Sequence, residues 1–198
     1  MRKVIATIML SMVLVIMTCP LLFAAVVEGT SAGFVITTPS SDPEGSGVTF
    51  DGDARAVKSV APAGATSIVE VGWWCGDDTE ESNFEIGLYD HDSGDDEPNN
   101  RLFVDTSNAK GTTTGWKSVA VDWAISAGTT YWIAVQLDAT DTGTPTDYAV
   151  GIGRGSKETG SATLADPWAA VNSETENLIA IYAKYQSGTN VGYYVRRH

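Results

Sequence analysis

The stretch from Gly115 to Leu137 constrains the fold more than any other part of the chain. Apolar side chains occupy every second position on both sides of a short Ser126-Ala127-Gly128 segment. They are Val119, Val121, Trp123 and Ile125, followed by Tyr131, Ile133, Val135 and Leu137. A period of two is typical of strands that turn one face towards a core. The pattern predicts a hairpin of two amphipathic strands, with Trp123 opposite Tyr131 and Val121 opposite Ile133.

Short apolar runs separated by turn-rich loops continue along the rest of the chain, and no long helical period accompanies them. The strand candidates outside the central stretch are 55–60, 66–74, 84–89, 101–105, 148–152, 178–185 and 191–195. Strands at this spacing are typical of two packed antiparallel sheets. The sequence therefore predicts an all-β fold, an antiparallel β-sandwich of jelly-roll-like type.

The composition limits both the number of domains and the class of partner. The chain has 198 residues, with 12 Lys and Arg against 25 Asp and Glu, and a formal net charge of -13. This length is expected to form one domain. Nucleic acid and anionic membrane surfaces are poor partners for so acidic a protein. The simplest role of the charge is solubility.

The N-terminus has the pattern of a secretory leader. Arg2 and Lys3 precede an apolar run from Val4 to Val27. A signal peptide over residues 1–32 would end at the small residues Thr30-Ser31-Ala32, and cleavage after Ala25 is the alternative. An uncleaved run would be about long enough to act as a membrane anchor. We expect export, an extracellular or cell-surface location, and no membrane contact once the leader is removed.

A short apolar segment and a Pro-, Gly- and Ser-rich linker follow the leader at residues 33–47, before the sandwich domain at 48–198. The segment comprises Gly33, Phe34, Val35, Ile36, Thr37 and Thr38. An apolar strand on a flexible tether must pair with a sheet, either its own or that of another copy. Donation of the segment to a neighbouring copy predicts self-assembly. If the segment stays with its own chain, it is either the first strand of the sandwich or a frayed terminus.

Several motifs occur in a fixed order between Thr66 and Leu137. They are Gly87-Leu88-Tyr89, an Asp-rich loop ending in Pro98, Arg101-Leu102-Phe103-Val104, Gly115-Trp116 and the nine residues from Ala127 to Val135. This order resembles the jelly-roll modules of exported bacterial, archaeal and phage proteins, which are similar to galactose-binding-like and other carbohydrate-binding sandwiches. The resemblance implies the sandwich fold and, as a possible role, glycan binding.

An acidic loop follows the strand that ends at Tyr89. Five carboxylates fall within eight residues, at Asp90, Asp92, Asp95, Asp96 and Glu97. Oxygen donors at this density suit Ca²⁺, although the spacing departs from the EF-hand pattern and helices are not predicted beside it. The loop is either a calcium site or a solvated acidic turn.

Aromatic side chains are predicted on the face opposite the core at Trp74, Tyr89 and Trp132. Exposed rings beside polar groups are a common way of stacking sugars, and Asp122 and Gln136 are predicted to share these faces. The competing interpretation is that a loop or the next subunit covers the rings.

Support for catalysis in the sequence is weak. Nucleophile-elbow, phosphate-loop and paired-histidine motifs are absent, and Cys75 is expected to be a small buried hydrophobe. We therefore expect a non-enzymatic structural subunit of a filament or surface layer that binds copies of itself. The alternative is a carbohydrate-binding module, and the one cofactor considered for either role is Ca²⁺.

Overall fold

The computed structural model describes residues 26–49, 53–76, 84–107, 113–137, 145–159, 163–169 and 173–188. These residues form strands in two sheets that pack face to face, which confirms the predicted all-β sandwich. Apart from one short parallel pair, the strands are antiparallel.

The smaller sheet contains four strands in the order β1-β11-β4-β7. Their bounds are β1 Gly33–Val35, β11 Ile181–Ser187, β4 Ala65–Cys75 and β7 Gly115–Ala124. The larger sheet has the order β10-β9-β3-β8-β5-β6, and β2 also pairs with β9. Their bounds are β10 Ser173–Ile179, β9 Pro145–Thr159, β3 Asp53–Val60, β8 Thr130–Leu137, β5 Phe84–Asp92, β6 Glu97–Ser107 and β2 Ser46–Thr49.

The predicted hairpin between β7 and β8 is wrong. Strand β7 pairs with β4 in the smaller sheet, whereas β8 pairs with β3 and β5 in the larger one. The connection crosses between the sheets, and the backbone N–H of Ile125 donates to the Thr66 carbonyl (3.0 Å) while that of Gly128 donates to the Ala61 carbonyl (2.8 Å). Both strands still turn their odd positions inward, so an alternating pattern fits this sheet-crossing arch as well as it fits a hairpin.

The main core lies between the sheets and is rich in aromatic rings. Trp73 of β4 meets Phe84 of β5 edge to face at 4.5 Å between ring centroids. Trp123 of β7 stacks on Phe103 of β6 at 5.5 Å. Such pairs add about 0.5–1.5 kcal/mol each beyond the burial of their apolar surface.

Residues 26–45, which we call the N-terminal arm, pack as part of the sandwich. Within the arm, β1 runs parallel to β11, with Phe34 opposite Ala183. Val26 and Ala32 are fully buried in the same core cluster as Phe34. The segment predicted as a donated strand therefore pairs within its own chain, as the alternative interpretation expected.

The second half of the arm lies against the outer face of the smaller sheet. The Thr38 hydroxyl donates to Glu70 Oε1 (2.8 Å), and the Trp116 Nε1–H donates to the Ser41 carbonyl (2.8 Å). The last residue of the predicted apolar segment thus contacts β4, and Ser41 of the predicted flexible linker contacts β7.

The leader and the region after residue 188, including the strand candidate 191–195, lie outside the described residues. Among the residues that are described, none forms a helix long and apolar enough to cross a membrane.

We expect the mature chain to retain Val26, which favours cleavage after Ala25 over cleavage after Ala32. Removing residues 26–32 should lower the free energy of unfolding by about 1.5–3 kcal/mol from Val26 alone, because its side chain is fully buried. Urea unfolding of proteins that begin at Val26 and at Gly33 measures this difference, and N-terminal sequencing of the exported protein locates the cut. Equal stability of the two proteins would contradict the role assigned to Val26.

Candidate functional site

The outer face of the larger sheet has a floor of small residues. Ala56 of β3 lies opposite Ala134 of β8, and Ala134 lies opposite Gly87 of β5. A Cβ atom at Gly87 would lie 2.7 Å from Leu164 Cδ1, so a larger residue at this position would displace the Leu164 side chain that lies above it. The small side chains allow another segment to approach the sheet closely.

That segment comprises residues 163–169, which we call the cover segment. The Leu164 N–H donates to Glu85 Oε2 (2.6 Å), and the Tyr89 hydroxyl donates to the Ala165 carbonyl (2.6 Å). The Trp168 N–H donates to the Asn99 carbonyl (2.8 Å). These hydrogen bonds hold the cover segment on β5 and β6.

The cover segment encloses a second apolar cluster on this outer face. Its members are Ala54, Ala56, Tyr89, Trp132, Ala134, Leu164 and Trp168. The rings of Tyr89 and Trp168 meet edge to face at 5.0 Å between centroids. Burial raises the pKa of the Tyr89 hydroxyl well above its ordinary value. The larger sheet is therefore apolar on both faces.

The exposure predicted for the three sugar-stacking rings is wrong. Tyr89 and Trp132 are fully buried, and Trp74 is buried on the opposite sheet, against Trp116 at 5.5 Å between ring centroids. The physical reason is that a loop covers one outer face and neighbouring rings crowd the other. This outcome corresponds to the covered-ring interpretation of the sequence.

The five residues predicted to bind a glycan do not form one group. Trp74 and the exposed Asp122 belong to the smaller sheet, whereas Tyr89, Trp132 and the buried Gln136 belong to the larger one. The alternation of residues along a strand indicates which face of its sheet a side chain occupies, but it does not indicate to which of the two sheets the strand belongs. Residues on opposite sides of the sandwich therefore show the same pattern in the sequence. Glycan binding itself stays a prediction.

The carboxylates of the acidic loop mostly hold the loop itself. Asp90 accepts from the backbone N–H (2.6 Å) and from Nδ2 (3.0 Å) of Asn100, and Asp92 accepts from the Gly94 N–H (2.7 Å). Asp92 also lies opposite Glu97 in the β5-β6 pair, and Asp95 is exposed. Across the ranges that the structure describes, no three His, Cys, Asp or Glu side chains gather in a way that could hold a metal ion. Calcium binding remains an untested prediction.

Asp96 differs from the other carboxylates of the loop because it reaches back over the sheet. Its carboxylate accepts a hydrogen bond from Lys58 of β3 and lies 3.2 Å from Arg154 Nε of β9 and 3.6 Å from His91 Nε2. The hydrogen bond from Lys58 is the main cause that holds the pKa of Asp96 below its ordinary value. We call these four residues the Asp96 cluster.

The Asp96 cluster is connected to the buried rings. Trp132 Nε1–H donates to His91 Nδ1 at 3.2 Å, which leaves the other ring nitrogen of His91 facing Asp96. Lys58 and Arg154 were not among the residues predicted from the sequence. A lysine on one strand and an arginine far along the chain carry no shared local motif, so only the sheet order brings them together.

On the outer face of the larger sheet, two polar atoms beside the second apolar cluster are buried without a hydrogen-bond partner. They are Ser156 Oγ on β9 and Trp168 Nε1 on the cover segment. Ser156 lies opposite Ala56 and therefore shares the outer face with it. Buried polar atoms nearly always have a partner, either in the protein or in solvent, so each of these two requires an explanation.

Two solved structures are similar to the chain. One contains the cysteine protease and lectin-like domains of Cwp84, a surface layer associated protein of Clostridium difficile, with a TM-score of 0.45 and 13% identity over 69% of this chain and 32% of that one. The other is the clostridial cysteine protease Cwp84 after propeptide cleavage, with a TM-score of 0.47 and 11% identity over 70% of this chain and 36% of that one. The chain therefore corresponds to a minor part of each. No protein-family model and no curated protein matches it.

We expect Trp132→Ala to destabilise the protein by about 3–5 kcal/mol, because the substitution empties the centre of the outer-face cluster. Chemical denaturation measures the change. Asp122→Ala is the matched control on an exposed strand position and should change stability by no more than about 0.5 kcal/mol. A stable Trp132→Ala protein would mean that the ring is not a structural element.

Asp96 should stabilise the fold in a pH-dependent way. A carboxyl group whose pKa is lowered on folding contributes stability that is present above its ordinary value of 3.8 and is lost as the pH falls through the lower folded value. The stability difference between wild type and Asp96→Asn should therefore be constant at pH values above 3.8 and should shrink as the pH falls below 3.8. Denaturation across the acid range tests this, and the difference should be smaller in a Lys58→Gln background. A difference that grows on acidification would contradict the assignment.

Proposed function

We propose that the protein is exported and acts outside the cell or at its surface as a non-catalytic structural subunit, which assembles with other copies by exchanging the N-terminal arm. The observation that carries this proposal is the way the arm packs. The arm forms the edge strand β1 and contributes several side chains to the core. All of these residues belong to one continuous segment, as an exchangeable strand requires.

The groove that receives the arm is specific. Phe34 inserts between Tyr131 and Tyr185, at 6.2 and 6.4 Å between ring centroids. Ser59 Oγ accepts from the Phe34 N–H (3.4 Å) and donates to Glu28 Oε1 (2.8 Å). The same contacts form whether the arm comes from the same chain or from a neighbour, so exchange requires no new interface chemistry.

The connection between β1 and β2 has the properties of a hinge. Residues 36–45 would span about 33 Å when extended, which is enough to reach a neighbouring sandwich. Ile36 is 70% exposed, and side-chain hydrogen bonds of Thr38 with Glu70 and Lys184, and of Trp116 with the Ser41 carbonyl, attach the segment to the smaller sheet.

A non-catalytic role agrees with the state of the reactive side chains. The Cys75 side chain is fully buried, and a buried thiol is shielded from substrate. His91 is engaged on both ring nitrogens, by Trp132 and by Asp96.

Cysteine crosslinking distinguishes exchange of the arm between copies from pairing of the arm within its own chain. Val35 lies opposite Lys184 in the β1-β11 pair, and neighbouring residues of paired strands can be bridged by a disulfide when their Cα atoms lie about 4.4–6.8 Å apart. We expect the Val35→Cys, Lys184→Cys double variant, oxidised after assembly, to give a ladder of covalent multimers on a non-reducing gel. Negative-stain microscopy of the same sample should show filaments or large oligomers.

The single variants Val35→Cys and Lys184→Cys are the controls, because they reveal crosslinks that involve the native cysteines. Oxidation in dilute, monomeric protein should give an intramolecular bond without multimers. If the concentrated protein also gives only the intramolecular bond and stays monomeric, arm exchange is not the function.

A further inference from the structure

The Asp96 cluster lies on the sheet opposite the N-terminal arm and takes no part in the proposed exchange. The Asp96 side chain is 42% exposed, while those of Lys58 and Arg154 are 28% and 26% exposed. Solvent therefore reaches this cluster, unlike the ion pair between Asp53 and Arg55, which is buried. An external anion would have access to the same two cationic groups.

Asp96 lies in a turn, whereas Lys58 and Arg154 lie in strands. It lies between β5 and β6 with a backbone φ of 63°, in the left-handed region that Asp tolerates better than most residues. Moving its carboxylate aside would leave the pairing of β3, β8 and β9 unchanged. Asp96 thus occupies the position that a carboxylate from a ligand would take.

A second, independent observation points to a ligand on the same outer face, which Trp132 connects to the Asp96 cluster. Ser156 and Trp168 are 1% and 6% exposed, and each has a polar side-chain atom without a hydrogen-bond partner. Ser156 lies opposite Ala56, two residues along β3 from Lys58, and such diagonal neighbours are about 7–8 Å apart. A hydroxyl and an indole N–H are suitable partners for the hydroxyl groups of a sugar.

We propose that this face binds a short saccharide that carries a carboxylate. The carboxylate pairs with Lys58 and Arg154 in competition with Asp96, and hydroxyl groups of the sugar bond to Ser156 Oγ and Trp168 Nε1. Because both atoms are buried, binding requires the Trp168 side chain to shift, with the sugar entering from the exposed cationic side. A net charge of -13 disfavours long polyanions, which limits the ligand to a short saccharide.

Isothermal titration calorimetry with D-glucuronate tests the proposal, with D-glucose and acetate as the matched neutral and sugar-free probes. We expect saturable binding of glucuronate at millimolar concentration or below, and binding of glucose and acetate at least about tenfold weaker. Tryptophan fluorescence should change with the same saturation curve, because Trp168 moves.

Variants assign the contacts. Lys58→Gln and Arg154→Gln should each weaken glucuronate binding about tenfold, while Asp96→Asn should strengthen it by removing the competing carboxylate. Ser156→Ala should weaken glucuronate but leave acetate unchanged. Lys184→Gln, on the other sheet, is the charge-matched control and should bind as wild type does. Circular dichroism of each variant verifies that it is folded.

Three results would overturn the proposal. Equal binding of acetate and glucuronate would mean that the cluster recognises an anion only, and equal binding of glucose would exclude a role for the cations. Absence of binding to both wild type and Asp96→Asn would exclude the site altogether. The oligomeric state of the protein is measured separately, so none of these outcomes depends on arm exchange.

Discussion

The sandwich depends on the arch that carries the chain from β7 to β8. Backbone hydrogen bonds from Ile125 to Thr66 of β4 and from Gly128 to Ala61, which follows β3, hold this crossing. Because the two strands then belong to opposite sheets, their alternating apolar side chains meet across the core instead of side by side. The arch therefore places the inward-facing side chains of β7 and β8 on opposite sides of one core.

The second constraint is that the larger sheet buries both of its faces. Strand β8 has Ile133 and Val135 on the inner side and Trp132 and Ala134 on the outer side, all fully buried. An antiparallel sheet commonly leaves one face to solvent, and it is the cover segment that prevents this here. Small residues such as Gly87 and Ala134 allow the cover segment, which has no regular secondary structure, to lie directly on the sheet.

Local alternation in the sequence was sufficient to predict the fold class and the inward direction of β7 and β8, since a period of two reports on strand faces. It could not predict which strands pair, because a hairpin and an arch between sheets place the same residues inward. The exposure of Tyr89 and Trp132 was mispredicted for a related reason. Whether an outer face is covered depends on residues 163–169, more than thirty positions from Trp132, and no local pattern records that contact. The partners of Asp96 were equally inaccessible, since Lys58 and Arg154 meet only through the order of β3 and β9 in the sheet.

The two proposals use opposite sides of one core, and this separation has a physical consequence. The arm docks on the smaller sheet beside β11, whereas the Asp96 cluster lies on the outer face of the larger sheet. The side chains between them, such as Ile133 and Ile181, are fully buried and close-packed, and a packed core resists small displacements. Assembly through the arm would therefore leave the outer face of the larger sheet free. Each subunit of such an assembly would present its own Asp96 cluster to solvent. Once one subunit had bound a glycan-bearing surface, its neighbours would bind at a high effective concentration, so weak single-site binding would give a strong overall attachment.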